Sequence, residues 1–156
     1  MRDGLDQRSC ELDKENQTMP QSPTLSRIDH LVLTVQNIAT TCAFYETVLG
    51  MQVDEFFVAD GTTRSAVKFG VQKINLHQAG AEFDPKSARP TPGSADLCFL
   101  SENTLDNWIA HLDRKGVKIE EGPVHRTGAT FAILSIYIRD PDQNLIEIST
   151  RLAPDF

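Results

Sequence analysis

Apolar and polar residues alternate along His30-Leu31-Val32-Leu33-Thr34-Val35, the two-residue period of a strand with one buried face. The period then changes. Ile38, Cys42, Tyr45, Val48 and Leu49 fall at helical spacing behind Asn37, whose side chain can cap a helix start, and Gly50 supplies a left-handed stop. The pattern predicts a strand followed by a helix running to Leu49. Strand-like pieces follow at Gln52–Ala59, Arg64–Phe69 and Lys73–Gln78, with Asp60-Gly61 marking the first hairpin turn. Pro85, Pro90 and Pro92 punctuate a linker.

The order then repeats. Asp96–Leu100 reads as a strand, and Leu105, Trp108, Ile109 and Leu112 mark an amphipathic helix that Gly116 stops. Val117–Glu121, Ile133–Arg139 and Asn144–Thr150 read as three more strands, the last two joined by the turn-forming run Asp140-Pro141-Asp142-Gln143. The spacing from His30 to Gly50 equals the spacing from Asp96 to Gly116. Gly116 to Glu147 is slightly longer than Gly50 to His77, the surplus being expected in a longer loop around Arg126–Phe131. Two β-α-β-β-β modules, each too small to cover its own sheet, predict an α+β fold with an open, cupped mixed sheet.

Composition narrows the setting. With 156 residues, 40% of them hydrophobic, the chain can bury one domain's core. Residues 1–26 are polar, contain Pro20 and Pro23, and read as a disordered tail; residues 27–151 form the domain and residues 152–156 a short C-terminal tail. The net charge of −7 leaves no basic field for nucleic acid or an anionic membrane. The longest run free of Asp, Glu, Lys and Arg, from His30 to Tyr45, is broken by polar pairs and too short to span a bilayer. Cys10, Cys42 and Cys98 are an odd set without CxxC spacing, and the segment 1–26 lacks the apolar core of a signal peptide. A cytoplasmic protein with a small-molecule partner is the expectation, with a homodimer as the candidate assembly.

Alternation assigns faces. Leu31, Leu33 and Val35 should pack on the helix, so His30 looks the other way; Ile74 and Leu76 pack while Asn75 and His77 point inward. In the second copy Asp96 and Cys98 oppose Leu97 and Phe99, and Glu147 opposes Ile146 and Ile148. Each module thus offers a polar side chain from its first strand and one from its last. His30, His77, Asp96 and Glu147 make an N₂O₂ set of net charge −2, suited to one divalent cation (Zn, Ni, Mn, Co or Fe), although each residue alone reads more simply as an ordinary strand residue. Cys98 reads as a small residue lining this face, His111 as solvated, and His125 as a loop residue near the site. Arg126 and Thr127, beside the flexible Gly128, suit an anionic group on a substrate.

The segments RIDHLVLTV (27–35), FYETVLGM (44–51), INLHQ (74–78), PGSADLCFL (92–100), EEGPVHRTGA (120–129) and YIRDPDQNLIEI (137–148) resemble the vicinal oxygen chelate superfamily over residues 27–151. The resemblance implies metal ligands on the first and fourth strands of each module, the positions assigned here to His30, His77, Asp96 and Glu147. It implies a glyoxalase-type lyase or isomerase, the metal stabilising an enediolate or alkoxide while Glu147 or Asp96 shuttles the proton. An iron-dependent dioxygenase using His30, His77 and Glu147, and a non-catalytic small-molecule binder, are the alternatives. The chain departs from the family at Gln143, where relatives often carry Gly, and at His125, where Pro is common.

Overall fold

The computed structural model describes residues 22–59 and 61–152, so the expected tails lie outside the described residues as far as residue 21 and from residue 153. The elements run β1 (His30–Val35), α1 (Ile38–Thr47), β2 (Gln52–Phe57), β3 (Thr63–Phe69), β4 (Gln72–Gln78), β5 (Asp96–Leu100), α2 (Leu105–Arg114), β6 (Glu121–Thr127), β7 (Ala132–Arg139) and β8 (Leu145–Arg151). The duplication is real in space. An N-terminal sheet has the order β1-β4-β3-β2 and a C-terminal sheet the order β5-β8-β7-β6, each mixed because its first and last strands pair in parallel.

The helix ends follow the local chemistry. Asn37 accepts the Thr40 amide at 2.9 Å, and Thr104 accepts the Asn107 amide at 3.3 Å, so each helix start has a side-chain acceptor for an otherwise unpaired donor. Gly50 and Gly116, at φ +69° and +66°, turn the chain out of each helix without a Cβ penalty.

One core serves both modules. Leu33, Val35, Val67, Ile74 and Leu76 of the N-terminal sheet join Ile136, Ile138, Ile146 and Ile148 of the C-terminal sheet, with Tyr45, Val48, Leu105 and Leu112 from around the helices. Phe69 meets Phe99 edge-on at 5.1 Å, carrying that core across the module boundary. Each sheet therefore turns its helix-side face into a shared interior, and the opposite, polar face of each sheet points away from it.

The turn between β7 and β8 fastens the modules. Asp140, 2% exposed, accepts the Tyr45 hydroxyl at 3.1 Å and the Asn144 side-chain amide at 2.8 Å. The backbone amides of Asp142 and Asn144 also donate to it, at 2.9 and 2.8 Å. Asp142 in turn accepts the Gln36 amide at 3.0 Å. A buried carboxylate is tolerated here because four donors replace its water.

Two expectations need correction. The strand expected at Val117–Glu121 is an extended connection that buries Val117 and Ile119 against the core, and β6 begins only at Glu121. Alternation reports burial, not ladder pairing, so the two cannot be told apart by period alone. The additional length of the second module lies in residues 115–120 and 140–144 rather than around Arg126–Phe131. Consequently His125, Arg126 and Thr127 stand on β6, and only residues 128–131 form the loop.

Candidate functional site

Strand register decides which polar side chains are neighbours. On β1 and β4, His30 faces Lys73, Val32 faces Asn75 and Thr34 faces His77. On β5 and β8, Asp96 faces Leu145, Cys98 faces Glu147 and Leu100 faces Ser149. Counting from the first residue of each leading strand, Glu147 matches Asn75, while His77 matches Ser149. The symmetry invoked for His77 is thus off by two positions, which keeps the residue on the same face but moves it along the strand by about 7 Å.

The nominated residues also lie apart. His30 is at the open edge of the N-terminal sheet, its ring nitrogen 2.8 Å from the Asp29 carboxylate and its side chain 46% exposed. His77 is 8% exposed and meets the Phe83 ring edge-on at 5.4 Å, while the Arg64 guanidinium covers that ring at 3.2 Å. Loss of solvent lowers the His77 pKa, and Arg64 lowers it further, so the ring is neutral near pH 7. Asp96 and Glu147 lie on the outer face of the other sheet. Among the described residues no three His, Cys, Asp or Glu side chains stand together as a metal site. Within one chain, then, His30, His77, Asp96 and Glu147 are not brought together around a single ion.

Polar groups do converge on the outer face of the C-terminal sheet. Glu147 accepts the Ser149 hydroxyl at 3.2 Å. Ser149 lies 2.8 Å from the Ser135 hydroxyl and 3.4 Å from the Cys98 sulfur. Tyr137 is the cross-strand partner of Glu147 on β7. Its hydroxyl accepts the Arg126 Nε at 2.9 Å. Lost solvation raises the Tyr137 pKa and Glu147 adds to the rise, with Arg126 opposing, so the phenol keeps its proton at neutral pH. Cys98 is exposed as a whole, but lost solvation around its sulfur raises the thiol pKa, Ser149 lowers it and Glu147 and Asp96 raise it. It is a neutral thiol, in keeping with a lining role.

A cavity of about 420 Å³ opens over this face, lined by Cys98, Leu100, Glu147, the β6 end at Arg126 and Thr127, the loop 128–131, and Ile133. It brings together the expected proton shuttle Glu147 and the expected substrate residues Arg126 and Thr127. Asp96 does not line it. Arg126 differs from expectation in its employment: Nη2 donates to Glu121 at 2.7 Å, Nη1 to the His125 carbonyl at 3.2 Å and Nε to Tyr137. Each guanidinium nitrogen makes one of these bonds, three of its five N–H donors in all, so the residue braces β6 against β7. His111, expected in solvent, contacts the Val48 carbonyl at 2.9 Å and joins α2 to the end of α1.

Sequence reasoning misses Tyr137, Ser135 and Ser149. They follow from the same alternation that places Glu147, since each faces the cavity side of its strand. A search restricted to ligand-type residues passes over hydroxyls.

Two mixed four-stranded sheets built from repeated β-α-β-β-β units, with polar residues on the faces turned away from the core, define a glyoxalase-type fold. The chain belongs to the Glyoxalase/Bleomycin resistance protein/Dioxygenase superfamily, whose family model matches residues 27–148. It is 57% identical over 125 residues to virulence protein STM3117 of Salmonella typhimurium, covering 80% of this chain and 84% of that protein. It is 52% identical over 123 residues to the glyoxalase domain-containing protein RDO1 of Mycosarcoma maydis, covering 79% of this chain and 67% of that protein. The crystal structure of STM3117 superposes with a TM-score of 0.78, covering 83% of this chain and all of that one. Lactoylglutathione lyase from Agrobacterium tumefaciens, at 22% identity and a TM-score of 0.60 over 81% of this chain and 95% of that one, shares the fold. Among the described residues no helix is long and apolar enough to cross a membrane.

Proposed function

We propose that this protein binds a small organic molecule in the cavity of the C-terminal sheet, with Glu147 as its polar anchor and proton-handling group. The observation that carries the reading is the convergence of Glu147, Thr127 and Cys98 on one cavity. Its volume lies within the usual range of small-molecule sites, roughly 300–1,000 Å³. A carboxylate with an oxygen held by a neighbouring hydroxyl is oriented to accept a proton from a bound acid and return it to a neighbouring atom. Leu100, Phe131 and Ile133 supply apolar walls beside it. This is proton transfer of the glyoxalase kind, performed by the chain's own carboxylate. Asp96, outside the lining, takes no part in it.

Screening small molecules for a ligand-dependent rise in Tm tests the reading. A ligand at about 100 times its Kd adds roughly 2.7 kcal/mol to stability. Leu100, 60% exposed, can be enlarged to fill the cavity without disturbing the core. Leu100→Trp should abolish the ligand-induced rise while leaving the ligand-free Tm unchanged. An undiminished rise in that variant contradicts the site.

A second reading keeps the metal. β1 and β5 each end a sheet, and each displays apolar groups on its outer face, Val32 at 47% and Leu100 at 60% exposure. Pairing of the N-terminal sheet of one copy with the C-terminal sheet of another would bring His30 and Asn75 towards Asp96 and Glu147. On this reading metal binding requires a homodimer. Sedimentation with and without added zinc or nickel tests it: metal bound by the monomer contradicts it.

A further inference from the structure

The charges around the cavity determine what kind of molecule it suits. Among the described residues its lining holds one cation, Arg126, and one carboxylate, Glu147. Arg126 is ion-paired with Glu121 at 2.7 Å and gives one further donor to Tyr137 and one to its own strand. On the neighbouring strand Arg139 is likewise taken, its Nε and Nη2 gripping Glu120 at 2.7 and 2.8 Å. Arg151, further along β8, lies 4.6 Å over the Phe131 ring and lines the adjoining cavity instead. Glu147 is flanked by the neutral side chains of Ser149, Cys98 and Tyr137. Of the two charged residues in the lining, Arg126 is thus paired with Glu121, while among the described residues no ion pair engages Glu147, so the unpaired charge of the lining is negative.

We propose that the cavity takes an organic cation: a protonated amine on an apolar body, its ammonium hydrogen-bonded to Glu147 and its body between Leu100, Phe131 and Ile133. This rests on the cavity being the ligand site, and it replaces the anionic substrate that Arg126 and Thr127 suggest in the sequence. An anion entering here meets the carboxylate of Glu147 and an Arg126 whose charge is already paired with Glu121. An ammonium instead completes the environment of a carboxylate flanked by hydroxyls and a thiol. Thr127 and the loop 128–131 border the entrance, where hydroxyl and backbone groups accept the remaining ammonium hydrogens.

Three probes of matched shape separate the possibilities: benzylamine, protonated at neutral pH, benzyl alcohol and benzoate. Each is titrated at millimolar concentration into the full chain and followed by amide chemical shifts, for the wild type and for Glu147→Gln, an isosteric change whose fold is checked by its spectrum. Benzylamine should shift amides of residues 127–131 and 147, bind about tenfold or more tighter than benzoate, and weaken as salt is raised. Glu147→Gln should remove that preference, bringing benzylamine to within about twofold of benzyl alcohol. Benzoate binding in the cavity as tightly as benzylamine would overturn the charge assignment and leave the site standing. Undiminished benzylamine binding by Glu147→Gln would do the same. If none of the three shifts the cavity amides, the site itself falls and the ligand class with it.

Discussion

Replacing Tyr45 by Phe removes one hydroxyl from the contact that joins the two modules. Tyr45 is fully buried and its hydroxyl donates to Asp140, a carboxylate only 2% exposed, at 3.1 Å. Phe fills the same space, so no cavity term arises and the change isolates the hydrogen bond. A hydrogen bond to a charged group is worth about 1.5–3 kcal/mol. The 3.1 Å separation is long for a hydroxyl donor, which places the loss near the lower end, about 1.5–2 kcal/mol. Three other donors still hold Asp140 in place, so the turn should keep its conformation. For a domain of this size each kcal/mol shifts Tm by roughly 2–4 °C, giving an expected fall of about 3–8 °C. Urea titration should move the midpoint without changing the slope, because the surface exposed on unfolding is unaltered. A cycle with Asp140→Ala should show coupling above about 0.5 kcal/mol between the two sites. A loss smaller than that, or no coupling, would refute the view that this buried contact ties the modules into one core.

Other outcomes follow from single residues. Gln143 has φ +70°, the one non-glycine with positive φ among the described residues, so Gln143→Gly should raise Tm, by about 0.5–1 kcal/mol in stability; a fall would contradict the strain assignment. His77 has a pKa held below its unfolded value, so the unfolded chain binds more protons and stability is lost as pH falls from about 6.5 through the folded pKa; His77→Gln should flatten that part of the Tm-against-pH curve. Arg126→Ala should lower Tm only slightly, because its pair with Glu121 is largely exposed and screened by solvent, and calorimetric unfolding checks this. An Arg126→Ala variant that loses neutral-ligand binding altogether would show that the residue touches the ligand directly.

Much of the fold is legible in the sequence because it rests on short-range period and punctuation. The alternation of β1, the helix behind Asn37 and the stops at Gly50 and Gly116 each report a local condition that the tertiary structure preserves. Register is a long-range property. Asn75 and His77 share strand and face, and only pairing with Val32 or Thr34 tells which one stands level with Glu147. The Asn75 side-chain oxygen is buried without a partner, a feature no residue pattern announces. The relation between modules is equally hidden. Alternation says which face of each sheet is apolar, but not that Phe69 meets Phe99 or that Tyr45 reaches Asp140 across the module boundary. Glu147 is legible because a carboxylate among isoleucines stands out. Arg126 reads as a cation beside a loop, whereas its place on β6 ties it to Tyr137 and Glu121.

The most direct measurement is a set of intermolecular nuclear Overhauser effects from a bound small amine to the methyl and aromatic protons of the full chain. Contacts to Leu100, Phe131 and Ile133, with the amine end nearest Glu147, are the expected result. Contacts instead to Val32, Lys73 or Phe56, on the outer face of the N-terminal sheet, would contradict the assignment of the site to the C-terminal sheet.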